Sequence, residues 1–299
     1  MKENQETRTL VTFWGTRGSI STPGRATEKY GGNTPCVSIQ HGDLTLILDA
    51  GTGIRNLGID LLQETETGEN HRSLHLFLSH THWDHIQGLP FFQPAYDSGT
   101  SLTIYGSPKK GRFLASVLKD QMDYEYFPVS MGALEADITI KEMSEEAIHL
   151  GPITVDWQDQ NYHPGGSVRY RFSIHDTRIV YATDVELDRI YQSEHSPKEK
   201  ETLIQEYVDF IEKSDLLIAD GQYTEDEYLS KAGWGHSSLP VIANLAYRAE
   251  VEQLAIFHHD PQHSDKFIDD LWARSRVKYG GDDAKMDIFW AREGLTLAI

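Results

Sequence analysis

Cysteine is nearly missing from this chain: Cys36 is the only one among 299 residues, so no intrachain disulfide is available. Long apolar runs are missing as well. No stretch of about 18 apolar residues occurs, which removes a transmembrane helix from the expectation. Residues 1–10, MKENQETRTL, are polar and hold no apolar core of an export signal. These absences together favour a reducing, cytoplasmic compartment and no membrane partner. Basic residues are scarce: 27 Lys+Arg stand against 46 Asp+Glu, a formal net charge of −19. Proteins that hold long polyanions replace phosphate counterions with basic patches, and no Lys/Arg-rich block is present. A stable long nucleic acid is therefore not expected as a partner. A small anion drawn to bound metal meets a weaker objection, because metal ions reverse the local sign. Internal repeats, low-complexity stretches and a Walker-type phosphate loop are absent too, so no nucleotide cofactor is assigned.

Hydrophobic residues make up 39% of the chain, enough for a sizeable core at this length. Leu10–Trp14 is a short apolar run, and Val37–Gln40 and Leu44–Leu48 flank a hairpin turn at His41–Asp43. Ile54–Gln63 has helical apolar spacing, Gly68–Ser73 reads as a polar loop, and Leu74–Leu78 reads as a buried strand. Later in the chain, Ile153–Trp157 is a strand candidate, and Val168–Ile174 with Arg178–Ala182 form a second hairpin signal. Glu199–Lys213, Leu239–Ala249 and Ser264–Val277 read as helices, with strands at Leu216–Ala219 and Leu254–Phe257 between them. Asp287–Ala291 and Leu295–Ile299 look like a final strand pair. No linker is visible, so one domain over 1–299 is expected, with residues 107–149 as a candidate lid or subdomain. Strand groups followed by helices in each half predict an α/β fold of two packed sheets with helices outside.

The strongest chemical signal is Ser79-His80-Thr81-His82-Trp83-Asp84-His85, three histidines and an aspartate directly after a buried strand. Imidazole nitrogen and carboxylate oxygen suit zinc, manganese or iron. Alternate residues at a strand end project to one side, so His80 and His82 point to one ion and Asp84 and His85, after the turn, to a second.

His80–His85 matches the His-x-His-x-Asp-His motif, and the chain resembles the metallo-β-lactamase superfamily over most of its length. The resemblance implies an αββα sandwich and two divalent ions, zinc or manganese. Asp49-Ala50-Gly51-Thr52-Gly53 is similar to the family's early Asp-x-Gly-x-Gly turn, which implies that Asp49 orients a ligand histidine. His163 stands for the third motif, Asp184 for the bridging aspartate and His258 for the last ligand. His259 is adjacent and sequence alone does not separate the two, although His258 falls directly at the strand end. The implied assignment is His80, His82 and His163 on one ion, Asp84, His85 and His258 on the other, and Asp184 between them.

A second signal resembles the phosphodiesterase branch, which includes the tRNA 3′-processing endonucleases. Asp220 ends an apolar strand, Gly235-His236-Ser237-Ser238 follows, and His258 lies 22 residues beyond His236. In that branch an acidic residue orients such a histidine; here aspartate stands where glutamate is usual. The resemblance makes His236, Asp220 and Asp84 the catalytic set, because a leaving alkoxide needs a proton. Ser237, Ser238 and Asn33 are candidate substrate contacts: the serines open a helix, which they cap or whose N–H groups hold a phosphate oxygen, and Asn33, in a glycine-rich loop, orients the Asp49 region or a ligand. The loop Gly15–Ser19 resembles a substrate-facing loop of the same branch, and Gly88–Tyr96 is an aromatic run suited to a wall or to the core.

His163 and Asp184 are only 21 residues apart, room for a hairpin and not for the long RNA-binding arm of the tRNA enzymes. Together with the acidity, this favours hydrolysis of 3′,5′-cyclic nucleotides to nucleoside monophosphates, by a homodimer as is common in the branch. The alternatives are an RNA 3′-end endonuclease, another hydrolase of this fold, or a metal-binding sensor without catalysis.

Overall fold

The structure is a computed structural model that describes residues 8–63, 72–107, 112–143, 146–279 and 285–299. The chain divides into two compact units. The first comprises Met1–Thr16, Asn33–Met143 and Arg292–Ile299, and the second Arg17–Gly32 and Ser144–Ala291. The two units interleave along the chain.

The first unit is built on a seven-stranded mixed sheet. Its strands are β1 (Thr9–Gly15), β2 (Cys36–His41), β3 (Leu44–Leu48), β4 (Arg72–Phe77), β5 (Thr100–Gly106) and β6 (Asp137–Glu142), with β14 (Thr296–Ala298) on the outer edge of β1. The stretch 68–73 lies outside the described residues as far as 71, and Arg72 and Ser73 open β4. The strands β3, β4, β5 and β6 run parallel to one another. Helix α1 (Ile54–Gln63) buries Ile54, Leu57 and Leu61 at helical spacing against Ile47, Leu74, Leu76, Leu102 and Ile104 of the sheet. The short helix α2 (Trp83–Ile86) carries the metal-ligand motif. Helix α3 (Leu114–Asp120) sets Leu114 and Leu118 into the same core, and β6 extends the sheet.

The second unit has its own seven-stranded sheet, in the order β13-β12-β11-β10-β9-β8-β7. These are β7 (Ile148–Leu150), β8 (Ile153–Gln160), β9 (Ser167–Ile174), β10 (Thr177–Ala182), β11 (Leu216–Asp220), β12 (Gln253–Phe257) and β13 (Asp287–Trp290). Here β10, β11, β12 and β13 are parallel. Helices α5 (Pro197–Ile211), α7 (Leu239–Arg248) and α8 (Asp265–Tyr279) pack on the face made by Val180, Ala182, Leu217, Ala219, Leu254 and Ile256. Two short helices, α4 (Asp188–Gln192) and α6 (Glu225–Lys231), complete the unit. Helix α5 opens with a capping box, Ser196 and Glu199 exchanging bonds. Among the described residues no helix is long and apolar enough to cross a membrane.

One strand reading needs correction. Asp287–Ala291 and Leu295–Ile299 do not pair with each other: β13 joins β12, whereas β14 joins β1. Between them Leu295 N–H bonds the Arg292 carbonyl, and Phe13 exchanges backbone bonds with Leu295 and Gly294. Two apolar runs separated by a turn imply a hairpin only when nothing else competes for their edges, and here each has a longer partner.

The turns beside the motif leave no room for side chains. A Cβ on Gly88 would lie 2.0 Å from the Gly51 carbonyl oxygen, and one on Gly51 would lie 2.4 Å from that of Asp84. Backbone cannot yield there as a flexible side chain can. Gly88→Ala is expected to cost about 1–3 kcal/mol in urea unfolding, the range of overpacking. Gly132→Ala, whose Cβ would meet nothing nearer than 4.0 Å, is expected to stay within about 0.5 kcal/mol of wild type. Equal effects at the two sites would refute the packing argument.

Candidate metal centre

In each sheet, parallel pairing brings successive strand C-termini to one edge, and the candidate residues sit on that edge. In the first unit β3 ends into Asp49 and β4 into Ser79–His85. Asp49 is fully buried. Its carboxylate accepts from the Ser79 amide and hydroxyl, both at 2.7 Å, and from His85 Nδ1 at 2.7 Å. With its proton on Nδ1, His85 keeps an unprotonated Nε2, which lies 3.3 Å from Asp84 Oδ2. The Ser79 hydroxyl also lies 3.1 Å from His80 Nδ1. The His80 ring centroid is 4.4 Å from that of His82 and 4.2 Å from that of His85. His80, Asp84 and His85 are buried, whereas His82 is exposed. All four motif side chains therefore converge.

In the second unit β10, β11 and β12 lead into Asp184, Asp220 and His258. Asp184 Oδ1 is 3.4 Å from His258 Nε2 and 3.9 Å from His163 Nε2. His163 Nδ1 donates to the Gly235 carbonyl at 2.9 Å, which leaves its Nε2 as the lone-pair nitrogen. His236 Nδ1 donates to Asp220 Oδ2 at 2.9 Å, so the aspartate reaches despite its short side chain. The His236 ring stacks on that of His258 at 4.9 Å. Ligand atoms of His163, Asp184 and His236 lie within 4.8 Å of one another. Burial, then the charge of Asp184, pushes the Asp220 carboxyl well above the usual range; His258 and the Ser237 and Val185 amides pull it back.

His259 is a different kind of residue. Its Nε2 donates to the Ala291 carbonyl at 2.7 Å. Burial, then the nearby Arg17 guanidinium, lowers its imidazole to about 3. Arg17 is itself fully buried, donating to the carbonyls of Gly31, Asp260 and His263. The Gly15–Ser19 loop thus does not offer this cation to a substrate; it fastens the loop after β12. A Cβ on Gly18 would lie 2.3 Å from His258 Nδ1, so glycine lets the backbone pass against that ring.

The serines and the asparagine have hydrogen-bond partners within the protein. The Ser237 hydroxyl donates to the Val185 carbonyl at 2.5 Å and accepts from the Leu187 amide at 3.1 Å. The Ser238 amide and hydroxyl both go to Asp188, at 2.8 and 2.6 Å. Helix α7 does start at Leu239 behind Ser238, but without a side-chain cap, and a carboxylate already occupies the place expected for a phosphate oxygen. Asn33 clamps Glu293 through its amide and Nδ2, at 2.6 and 2.9 Å, and accepts from Thr52 Oγ1 at 3.1 Å. It braces the turn after Asp49. In the aromatic run, Phe92 is in the core and Phe91 is exposed, edge-on to Phe127.

Both residue sets fit divalent cations. They consist of nitrogen and oxygen donors, and hydrogen bonds to the far nitrogens of His85 and His163 leave Nε2 available. Asp49, Asp184 and His258 all have left-handed backbone, with φ of 60°, 59° and 59°. Such residues cost about 1–3 kcal/mol each. One buried Leu or Ile offsets about that much, so the cores beneath can hold all three. Sequence reasoning missed Glu186 and Asp188, two buried acids that look like surface charge in the run Asp184-Val185-Glu186-Leu187-Asp188. Their alternation with apolar residues was the available signal.

Ribonuclease Z of Exiguobacterium sibiricum is 22% identical over 266 residues, covering 78% of this chain and 85% of its own. Among solved structures, the metallo-β-lactamase fold protein YhfI of Bacillus subtilis superposes with a TM-score of 0.68 at 18% identity, covering 98% of this chain and 100% of its own. The short form of human tRNase Z superposes with a TM-score of 0.63 at 16% identity, covering 97% and 99%. The two mixed seven-stranded sheets with helices are thus the α/β sandwich that sequence predicted. The partner expectation, a small phosphodiester to the exclusion of long nucleic acid, is corrected by the ribonuclease relatives. A net charge summed over a chain does not describe the field beside bound cations. Residues 45–259 match the profile of the β-lactamase superfamily domain, well over half of the chain, and the protein belongs to that family.

Proposed function

We propose that this enzyme is a dinuclear metal-dependent phosphoric diester hydrolase that cleaves RNA, as a 3′-end endonuclease. The observation that carries the reaction type is His236, held by Asp220 at 2.9 Å and stacked on His258. Ligand order in the family gives His80, His82 and His163 to one ion, Asp84, His85 and His258 to the other, and Asp184 to both. The approach of Asp184 Oδ1 to both His163 and His258 supports its shared role. Zinc or manganese suits this donor set. When bound, the two ions supply Lewis acidity and an acidified water for in-line attack.

The chain's own residues do the rest. Asp84 takes the proton of the attacking water as its oxygen bonds to phosphorus. The bond from phosphorus to the leaving oxygen breaks, and His236 delivers a proton from Nε2 to that oxygen. Asp220 fixes the Nδ1–H tautomer and steadies the charged ring.

RNA as substrate rests on the ribonuclease relatives. The hairpin of β9 and β10 leaves no arm between His163 and Asp184, so RNA contacts come from elsewhere. Two tryptophans suit that need: Trp83, 82% exposed between His82 and Asp84, and Trp234, 63% exposed just before the Gly235-His236 step. Stacking on aromatic side chains contributes about 1–3 kcal/mol per base and tolerates any sequence.

Three measurements test this reading. Elemental analysis after equilibration with zinc or manganese is expected to give two ions per chain, and Asp184→Ala to lose at least one. Protein that binds none would end the metal reading. His236→Ala is expected to keep its ions and lose about 10²–10⁴-fold in turnover of an RNA diester. That loss should shrink for a nitrophenyl ester, whose leaving group needs no proton; loss of an ion would instead make His236 a ligand. On substrates, a precursor RNA with a 3′ extension is expected to be cut, with Trp83→Ala raising KM about 5- to 160-fold, the equivalent of one stacked base. Turnover of cyclic mononucleotides with no RNA cleavage would overturn the substrate.

A further inference from the structure

The segment after Asp184 and the segment around His236 are laced together almost residue by residue. Glu186 is 1% exposed. Its Oε1 accepts from the Gly233 amide at 2.6 Å and the Tyr228 hydroxyl at 2.8 Å, and its Oε2 from the Gly235 amide at 3.1 Å. On the other side of His236, Ser237 bridges the Val185 carbonyl and the Leu187 amide, and Asp188 takes both donors of Ser238. Gly233 and Gly235 have φ of 90° and 94°, which only glycine adopts readily. A Cβ on Gly235 would lie 2.3 Å from His163 Nδ1, the nitrogen that donates to the Gly235 carbonyl. The glycine is therefore fixed from both sides.

We infer that Glu186 is a positioning residue that sets a metal ligand and the proton donor at once. Its carboxylate fixes the two glycine amides, the Gly235 carbonyl then fixes the tautomer and tilt of His163, and the next residue is His236. A neutral residue would not serve. A carboxylate presents two acceptor oxygens, and the three donors need both of them. Burying that charge is costly unless it is fully hydrogen-bonded, which these donors achieve. Asp188 acts from the far side, through Ser238, so the His236 step is held at both ends to the loop that carries Asp184. The consequence for catalysis rests on the function proposed above; the clamp itself does not.

The test is Glu186→Gln, of the same shape but with one oxygen replaced by a donor. Whichever way the amide turns, at least one glycine N–H faces an N–H. Apparent zinc affinity, read by competition with a chromogenic chelator, is expected to fall about 10–100-fold, as for other residues that support metal ligands. Turnover of an RNA diester is expected to fall on the order of 10²-fold, the effect of a misplacement of about 1 Å, with a smaller loss on a nitrophenyl ester. Tyr228→Phe, which removes the hydroxyl and leaves both glycine bonds, is expected to match wild type in metal affinity and in the ratio of the two substrates. In wild type, hydrogen exchange at the Gly233 and Gly235 amides is expected to be as slow as in β11. A Glu186→Gln protein that loses thermal stability but keeps its zinc affinity and substrate ratio would overturn the inference. So would equal losses in Tyr228→Phe, or glycine amides that exchange as fast as an open loop. If wild type hydrolyses no diester, the proposed function fails, while metal affinity and amide exchange still decide whether the clamp exists.

Discussion

Parallel strand pairing is the constraint from which the site follows. An antiparallel pair sends its C-termini to opposite edges; a parallel pair sends them to the same one. In the first sheet β3 and β4 run together, and Asp49 and the His80–His85 motif emerge side by side. In the second, β10, β11 and β12 do the same for Asp184, Asp220 and His258. Residues remote in sequence thereby become neighbours without a long loop to order, and ordering a loop is what costs entropy. The chain must then turn sharply as each strand ends. Left-handed backbone at Asp49, Asp184 and His258 is the local expense of that turn.

Acidity has a second meaning once the interior is visible. Asp49, Asp84, Asp184, Glu186, Asp188, Asp220 and Asp260 are all buried. Each would be prohibitively placed alone, and hydrogen bonds from the chain answer the problem: the Ser79 amide and hydroxyl for Asp49, glycine amides for Glu186, the Ser238 amide and hydroxyl for Asp188. Part of the formal charge of −19 thus belongs to the site and its supports and not to the surface.

What sequence made legible was whatever depends on short-range pattern. The apolar run Leu74–Leu78 and the clustered His80, His82, Asp84 and His85 need only a strand and a turn to converge. The hairpin of β9 and β10 was likewise visible from the alternation on either side of His175–Thr177. Other features depend on which distant edge is free. The separation of β13 from β14 was hidden because both have the same local pattern, and only the pairing with β12 and β1 distinguishes them. Ser237 and Ser238 read as helix caps or phosphate contacts because those are their local habits. Their actual partners, Val185, Leu187 and Asp188, lie about 50 residues away.

Hydrogen-bond direction then separates the histidines into classes that sequence could not. His85 and His163 have Nδ1 engaged by an acceptor and Nε2 facing a site carboxylate, whereas His259 has Nε2 engaged by a backbone carbonyl. An imidazole has one proton to give in its neutral form, so the acceptor it meets decides which nitrogen keeps a lone pair. Asp49 makes that choice for His85, and the Gly235 carbonyl makes it for His163. A carbonyl is a weaker fixture than a buried carboxylate, since it can rotate with its peptide. Glu186 limits that freedom from the N-terminal side, where it holds the amides of Gly233 and Gly235, and the Ser237 bonds to Val185 and Leu187 limit it from the C-terminal side. The two supports differ in kind: in one the acid touches the histidine, and in the other it holds backbone next to the carbonyl that does.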